Sequence, residues 1–453
     1  MKNPNLLFVF ADQWRAQACG YAGDPNVRTP ALDAFAGESV NAANAVSGWP
    51  VCSPYRASLL TGQYPLTHGM VVNDMSIVSR PVSFADALNA AGYDTAYIGK
   101  WHIDGHGRTR YVPPERRLGF RHWLGYECTH DYARSPYYAG EDEKPRLWPG
   151  YDADAQTEAA AAHLRGSRRP GQPFALFLSW GPPHNPYETA PEPFRAMYRP
   201  DAVRLAPNVP AEAAEPARKD LAGYYAHCSA LDACFGRLLA LLDQLQLAED
   251  TVVVFTSDHG DMHGAHGLRR KQWPYDESIR VPFLLRWPAK LGRAPRTVPA
   301  PINSLDVMPS LLSLCGVPVP DTVEGTDFAP ALRGEHAVDD GGALLASFFP
   351  FHEITYASGA RDYRGLRTER HTFVRQRGGP ALLFDNETDP GQMRNLAEDP
   401  AAASLRARLE AALDRKLARH RDAFEPGWRI LRRFNVPLTP LGDDVYHSWE
   451  AQA

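Results

Sequence analysis

The sequence NLLFVFA at residues 5–11 is an apolar run, and the polar pair Asp12-Gln13 follows it at once. Continuous apolar runs of this length are typical of strands buried on both faces of a parallel sheet. Four more runs have the same character: Asp94–Gly99, Pro173–Trp180, Thr251–Ser257 and Val281–Trp287. Helical patterns alternate with these runs, which predicts an α/β fold with a large, mostly parallel central sheet flanked by helices.

The helical patterns have recognisable ends and buried faces. Ser83–Ala91 is followed by Gly92, a typical residue just beyond a helix C-terminus, and Asp152–Leu164 is a second candidate. The longest pattern runs from about Ala217 to Leu245, with apolar residues every three or four positions, so we expect one face of this helix to be buried. Two of its residues, Cys228 and Cys234, are therefore interpreted as core residues.

A polar, Gly- and Asp-rich stretch at residues 334–342 predicts a domain junction. The predicted main domain spans residues 1–337, a small C-terminal α+β subdomain spans 338–425, and an extended tail spans 426–453. Predicted elements of the subdomain are strands in Ala343–Phe349, Gly365–Arg375 and Leu382–Asp385 and a helix at Ala401–His420.

Composition narrows the classes of function. A net charge of −5 argues against a nucleic-acid or anionic-membrane partner, and no apolar run reaches the length of a membrane span. The six cysteines form no C-x-x-C pair and predict no disulfide framework. The first apolar stretch is too short for a signal-peptide core, so the sequence favours cytoplasmic residence.

Polar residues of catalytic type follow four of the predicted strands. They are Asp12 and Gln13, Lys100 and His102, His184, and Asp258 and His259. Ligands of open α/β sheets bind outside the carboxyl ends of the strands, so we predict one site at this edge. Two carboxylates with Gln13 and His259 beside them indicate a cation site of mainly oxygen ligands. Any one aspartate alone is more often a helix cap or a turn residue.

Cys52 begins a second polar segment, CSPYRASLLTG at residues 52–62. Pro54 suits a first helical position and Gly62 can end the helix, which places Cys52 at a helix N-terminus that favours an anion. Two alternatives remain at this point. Cys52 could be a small buried hydrophobic residue, the commonest state of a lone cysteine, or a simple thiol nucleophile.

The motif Cys52-x-Pro54-x-Arg56 with Leu60-Thr61-Gly62 resembles the signature that directs oxidation of cysteine to formylglycine in type I sulfatases of the alkaline phosphatase superfamily. Further segments resemble that family in the same order along residues 5 to 400. They are Phe8–Gln13, Gly99–His102, Pro183–Pro186, Ser257–Asp261 with Lys271, Leu383–Asp385, Asp389-Pro390 and Asn395-Leu396.

The resemblance implies a role for each matching residue. Cys52, as hydrated formylglycine, attacks sulfur while Arg56 and the cation stabilise its anionic form. Asp12, Gln13, Cys52, Asp258 and His259 hold the cation, with Ca²⁺ expected first and Mn²⁺ or Mg²⁺ as alternatives. Lys100, His184 and Lys271 neutralise charge on the transferring group. His184, with Lys271, protonates the leaving alcohol, and His102 takes a proton from the second hydroxyl.

Two features distinguish this chain from many family members. Asp12-Gln13 stands where many have two aspartates, and phosphonate monoester hydrolases share this start and an asparagine like Asn73. Those enzymes tend to lack the Lys-x-His pair that Lys100 and His102 form here, so a sulfate ester is favoured over a phosphonate monoester or phosphodiester. A binding protein for sulfated glycans, in which Cys52 is never oxidised, is a further hypothesis.

The sequence gives little information about the alcohol part of the substrate. Candidate substrate-binding residues are Asn73, His106, Arg108 and Tyr187, together with Tyr132 and Arg134. Basic and aromatic side chains suit a sulfated sugar or oligosaccharide with further anionic groups, although surface-loop roles explain them at least as well. The resemblance also implies a formylglycine-generating enzyme as a maturation partner, and it leaves homo-oligomerisation open.

Overall fold

A computed structural model describes residues 3–78, 80–167, 169, 171–352 and 354–436. Its main feature is a ten-stranded sheet of order β10-β2-β9-β8-β1-β7-β3-β4-β5-β6. The strands are β1 Asn5–Asp12, β2 Val40–Ala42, β3 Asp94–Lys100, β4 His122–Tyr126, β5 Pro136–Ala139, β6 Arg146–Leu147, β7 Phe174–Pro183, β8 Thr251–Ser257, β9 Phe283–Arg286 and β10 Arg296–Val298.

The five central strands, β8-β1-β7-β3-β4, are parallel, which confirms the predicted mostly parallel sheet. The predicted strand Val281–Trp287 corresponds to β9, which pairs antiparallel with both β8 and β2. Sequence patterns missed β2, β4, β5, β6 and β10, because these strands are short or contain glycine, histidine or proline. They lie toward the edges of the sheet, where full apolar runs are not required.

The sheet is buried on both faces because the side chains of β1 alternate between two cores. Leu6, Phe8 and Phe10 contribute to one core, and the intervening Leu7, Val9 and Ala11 to the other. The helices are α1 Pro30–Ala36, α2 Cys52–Thr61, α3 Pro65–His68, α4 Phe84–Ala90, α5 Asp152–Ala162, α6 Glu192–Arg195, α7 Ala214–Gln244, α8 Asp276–Ile279, α9 Pro288–Leu291, α10 Ser304–Leu314, α11 Ala329–Arg333, α12 Ala403–Arg419 and α13 Gly427–Arg433.

The predicted helices are present with small shifts at their ends. Ser83 caps α4 in a capping box with Asp86, and Gly92 has a φ of 85° just beyond it. The long helix α7 buries one face against the second core, where Cys228 and Cys234 lie as core residues. Among the described residues, no helix has both the length and the apolarity that crossing a bilayer requires.

A four-stranded antiparallel sheet follows residue 342, with strands β11 Ala343–Ser347, β12 Tyr363–Arg367, β13 His371–Gln376 and β14 Gly379–Asp385. The predicted strand region Gly365–Arg375 is therefore a hairpin, because residues 368–370 turn the chain. The prediction of an extended tail is wrong for Gly427–Arg433, which forms α13 and buries Ile430 and Leu431. The tail beyond residue 436 lies outside the described residues.

Candidate active site

Helix α2 places Cys52 at its first residue, with Val51 as the N-cap. Pro54 is the third residue of the helix, so its predicted place at the first position is wrong. Gly62 ends the helix with a φ of 65°, as its sequence position predicts. The Cys52 side chain is buried at the carboxyl end of the central strands, where backbone N–H groups of the first turn are free of intrahelical partners.

Four buried side chains converge there: Asp12, Cys52, Asp258 and His259. One potential ligand atom from each lies within 4.8 Å of the others. His259 Nε2 is 3.3 Å from Cys52 Sγ, 3.6 Å from Asp12 Oδ1 and 3.5 Å from Asp258 Oδ1. His259 Nδ1 lies 2.9 Å from the carbonyl oxygen of Gly260, a contact that leaves Nε2 as the atom facing the cluster.

Arg56 lies behind the two carboxylates. Its Nη2 contacts Oδ2 of Asp12 at 3.1 Å and Oδ2 of Asp258 at 2.9 Å, and its Nη1 donates to the carbonyl oxygen of Lys100 and to Ser179 Oγ. The sequence resemblance gave Arg56 a role against the nucleophile. The structure places its charged contacts on the two Oδ2 atoms of the carboxylates, so that the two Oδ1 atoms face Cys52 and His259.

Gln13 lies beside this cluster with a φ of 72°. Its backbone N–H donates to Asp258 Oδ1 at 2.9 Å, and its side-chain Nε2 donates to Tyr187 Oη and Asp261 Oδ2. Its Oε1 accepts from Lys271 Nζ at 3.1 Å. The Gln13 amide is therefore held by Tyr187, Asp261 and Lys271, beside the cluster that its backbone N–H contacts.

The electrostatics of the cluster suit a divalent cation. Burial, together with the charge of Asp12, raises the pKa of Asp258 to about 6. Burial also raises the pKa of Asp12, but Lys100, His184 and Arg56 outweigh this effect and hold it well below its usual value. Two buried carboxylates and an imidazole nitrogen converge here and form a donor set that fits a metal of the Ca²⁺, Mg²⁺ or Mn²⁺ type.

Cys52 lies between this donor set and the cationic side of the site. Burial and Asp12 act to raise the pKa of its thiol, yet Lys271, Lys100 and His259 lower it well below the usual value. Lys271 Nζ is 3.6 Å from Sγ. The site therefore favours negative charge on the side chain at position 52.

The two predicted cationic residues, Lys100 and Lys271, contact different partners. Lys100 Nζ is buried and lies 2.6 Å from Asp12 Oδ2, so it supports the carboxylate. Lys271 Nζ lies 2.8 Å from His184 Nε2, while His184 Nδ1 lies 2.8 Å from the carbonyl oxygen of Asn185. Burial, Lys271 and His130 hold the pKa of His184 well below its usual value, which favours the neutral imidazole.

His102 is oriented by Asp74, whose Oδ1 lies 3.0 Å from His102 Nε2. Burial lowers the pKa of His102, but Cys128 and Asp74 outweigh it and raise the pKa well above its usual value. Arg108 binds the same aspartate through Nε and Nη2, each at 3.2 Å. Asp74 therefore orients the His102 ring and favours its protonated form.

A cleft opens above Cys52. Its lining includes six residues named from the sequence, namely Cys52, Asn73, His102, Arg108, His184 and Lys271. Sequence reasoning missed others that line it: His130, Asn185, Arg270, Gln272, Phe351 and His352. Arg270 and Gln272 flank Lys271 in the chain and were within reach of the motif, whereas Phe351 and His352 follow β11 and are brought here only by the fold.

Four predicted substrate-binding residues do not line the cleft. His106 is half exposed and contacts Asp104. Tyr187 is buried behind Gln13 and donates its hydroxyl to Asp261 Oδ2 at 2.9 Å, so it positions the cluster instead. Tyr132 is also buried, with its hydroxyl on the carbonyl oxygens of Gly181, His184 and Asn185, and Arg134 is not part of the lining.

Comparison with known proteins agrees with this geometry. The family model described as Sulfatase matches residues 4–317, and the model described as N-sulphoglucosamine sulphohydrolase, C-terminal, matches residues 264–419. The chain is 44% identical to an ulvan-active sulfatase of Formosa agariphila, over 95% of this chain and 84% of that protein. It is 32% identical to an endo-4-O-sulfatase of Bacteroides thetaiotaomicron, over 88% and 89% of the two chains.

A solved sulfatase structure from Bacteroides fragilis superposes with a TM-score of 0.84 at 31% identity, over 94% of this chain and 98% of the other. The parallel sheet with a cation-type donor set at its carboxyl edge defines an ester hydrolase of the alkaline phosphatase superfamily. Within that class the chain belongs to the sulfatase family. It is a sulfuric ester hydrolase, and the family implies a divalent metal and a formylglycine.

Proposed function

We propose that this sulfatase hydrolyses a sulfate ester of a carbohydrate, with Cys52 converted to formylglycine and Ca²⁺ as the bound cation. One observation carries the proposal: Cys52 Sγ lies between His259 Nε2 at 3.3 Å and Lys271 Nζ at 3.6 Å, at the base of an open cleft. Relatives named for ulvan and for endo-4-O-sulfate cleavage support a sulfated carbohydrate as the substrate class.

Formylglycine would supply a geminal diol nucleophile, and the cation would supply Lewis-acid activation of that nucleophile and of the sulfate. Asp12, Gln13, Asp258 and His259 would hold the cation together with residue 52. Formation of the aldehyde requires a formylglycine-generating enzyme as a partner during maturation. Arg56 binds one oxygen of each carboxylate and so fixes their orientation relative to each other.

Proton transfer is assigned to two pairs of residues near Cys52. Lys271, paired with the neutral His184, carries the proton that the leaving alcohol needs when its bond to sulfur breaks. His102, oriented by Asp74, is placed for the proton that nucleophile regeneration releases and accepts it in its neutral form. Lys271 also places positive charge where the transferring sulfate gains negative charge.

Ca²⁺ is our first choice because carboxylate and amide oxygens dominate the donor set. His259 adds a nitrogen ligand, and Gln13 replaces a carboxylate with a neutral amide, so Mn²⁺ and Mg²⁺ are the alternatives. Activity of the metal-stripped protein after addition of each ion decides among them. Ca²⁺ is expected to restore the highest rate, and a higher rate with Mn²⁺ or Mg²⁺ would contradict this choice.

A phosphonate monoester or phosphodiester hydrolase is the second candidate, because Asn73 lines the cleft beside the Asp12-Gln13 pair. Rates on 4-nitrophenyl sulfate and on a phenylphosphonate monoester distinguish the two. We expect kcat/KM to be higher on the sulfate, since this chain has the pair Lys100 and His102 that phosphonate monoester hydrolases tend to lack. A clear preference for the phosphonate, by the protein with oxidised Cys52, would overturn the proposal.

A further inference from the structure

His130 lies in the loop after β4, lines the cleft and carries none of the roles assigned above. Its ring stacks face to face on the ring of His184, with centroids 4.4 Å apart and an interplanar angle of 3°. Its Nε2 lies 3.9 Å from Cys128 Sγ. The ring of His130 is therefore in van der Waals contact with the histidine that pairs with Lys271.

Both nitrogens of His184 are already engaged. Nδ1 contacts the Asn185 carbonyl oxygen, and Nε2 contacts Lys271 Nζ, each at 2.8 Å. A small rotation of the imidazole would lengthen both contacts at once, because the two partners lie at opposite edges of the ring. Stacking on one face restricts that rotation, since parallel aromatic rings lose contact when one of them tilts.

We propose that His130 is a positioning residue for leaving-group protonation, which keeps His184 Nε2 directed at Lys271 Nζ by stacking on the His184 ring. This inference rests on the proposed function of the Lys271–His184 pair. It assigns the effect to the aromatic face of His130 and not to its ring nitrogens. The contribution of His130 to the rate should therefore be largest on substrates whose leaving oxygen must be protonated.

Sulfate esters whose leaving groups differ in basicity distinguish a role in leaving-group protonation from a general effect on activity. The 4-nitrophenolate ion leaves without a proton, whereas phenolate is more basic and gains more from protonation. In the His130→Ala protein we expect kcat on phenyl sulfate to fall about tenfold, and kcat on 4-nitrophenyl sulfate to stay within about twofold. A tenfold change corresponds to about 1.4 kcal/mol of transition-state stabilisation.

His130→Phe is the conservative variant, because it keeps an aromatic face and removes both nitrogens. We expect it to restore kcat on phenyl sulfate to within about threefold of the unsubstituted protein. His122→Ala is the matched control, because His122 also contacts a second histidine ring, His163, at 4.5 Å but does not line the cleft. It should leave the ratio of the two rates unchanged.

Three results would overturn the inference. The first is an equal fall of kcat on both esters in His130→Ala, and the second is a His130→Phe protein that is no faster than His130→Ala. The third is unchanged rates in both variants. Melting temperatures of the variants show whether each is folded. If the unsubstituted protein with oxidised Cys52 cleaves neither sulfate, the proposed function fails, which is a different outcome from any of these three.

Discussion

Arg56 donates from both Nε and Nη2 to one oxygen of Asp258, at 3.1 and 2.9 Å. The other oxygen of that carboxylate lies 3.5 Å from His259 Nε2. The guanidinium thus binds the back of the carboxylate and leaves its front oxygen for a cation. Arg56 is almost completely buried, so the ion pair is protected from screening by solvent.

Substitution Arg56→Lys should weaken cation binding. Lysine carries the charge but lacks the several N–H donors with which the guanidinium binds both Asp12 and Asp258. The two Oδ1 atoms should therefore lose their fixed positions relative to each other. We expect the dissociation constant for Ca²⁺ to rise at least about tenfold, or about 1.4 kcal/mol, when measured by calorimetry on metal-stripped protein. Arg364→Lys is the control, because Arg364 is equally buried but pairs with Asp422. Equal affinities in both variants would contradict the role of Arg56.

Substitution Cys52→Ala should abolish turnover of 4-nitrophenyl sulfate and leave the melting temperature nearly unchanged. Cys52 contacts polar groups of the site, so its loss removes the nucleophile without opening a cavity in either core. Cys315→Ala, in the first core, is the control that should lower stability and keep activity. Intact mass of the active protein should show a loss of about 18 Da, the thiol-to-aldehyde change. Full activity without that change would exclude formylglycine.

Substitution Tyr187→Phe should lower kcat and leave KM within about twofold. The Tyr187 hydroxyl contacts Gln13 Nε2 and Asp261 Oδ2, and it also accepts from Arg270 Nη1 at 3.2 Å. Tyr187 itself lies outside the cleft lining, so its loss should disturb the metal side more than substrate binding. We expect kcat to fall about tenfold, the effect of one buried hydrogen bond of roughly 1.4 kcal/mol. Tyr225→Phe, which removes a hydroxyl bound to Asp24, is the control. A rise in KM alone would instead support the substrate-binding role that the sequence suggested.

Glu127 should make stability depend on pH. Burial, with the charge of Asp104, raises the pKa of Glu127 to about 8 from an ordinary 4.5. Because the folded state binds this proton more tightly, its contribution to stability is complete below pH 4.5 and is lost as pH rises to about 8. In urea unfolding at pH 5, 7 and 9, the free energy of unfolding should fall less with rising pH for Glu127→Gln than for the unsubstituted protein. Exposed Glu398→Gln should keep the original slope, and identical slopes in all three proteins would contradict the assignment.

The sequence predicted the central sheet well because its strands are apolar on both faces. A run such as residues 251–257 can be buried only between two layers of helices, whatever the rest of the chain does. The edge strands β5 and β6 carry no such constraint, because partly exposed strands accept proline, arginine and tyrosine. Periodicity therefore fails where burial is incomplete.

The site was predicted in part for the same reason. Asp12, Asp258, His259 and His184 follow buried strands directly, so sheet geometry alone brings them to one edge. The residues predicted to bind the substrate do not directly follow buried strands. Arg108 and Asn73 line the cleft, whereas His106 and Tyr187 are not part of its lining, because loop conformations depend on packing that no local pattern records.

The sequence by itself determined the parallel sheet, the order of its site motifs and the chemical types of the residues at its carboxyl edge, because strand burial and motif spacing are local properties. Only the tertiary structure decided which oxygen of each aspartate faces Cys52, that His130 stacks on His184, and that residues after β11 complete the cleft. Those relationships join residues from distant parts of the chain. Their distances depend on how the layers pack, to within a few tenths of an ångström.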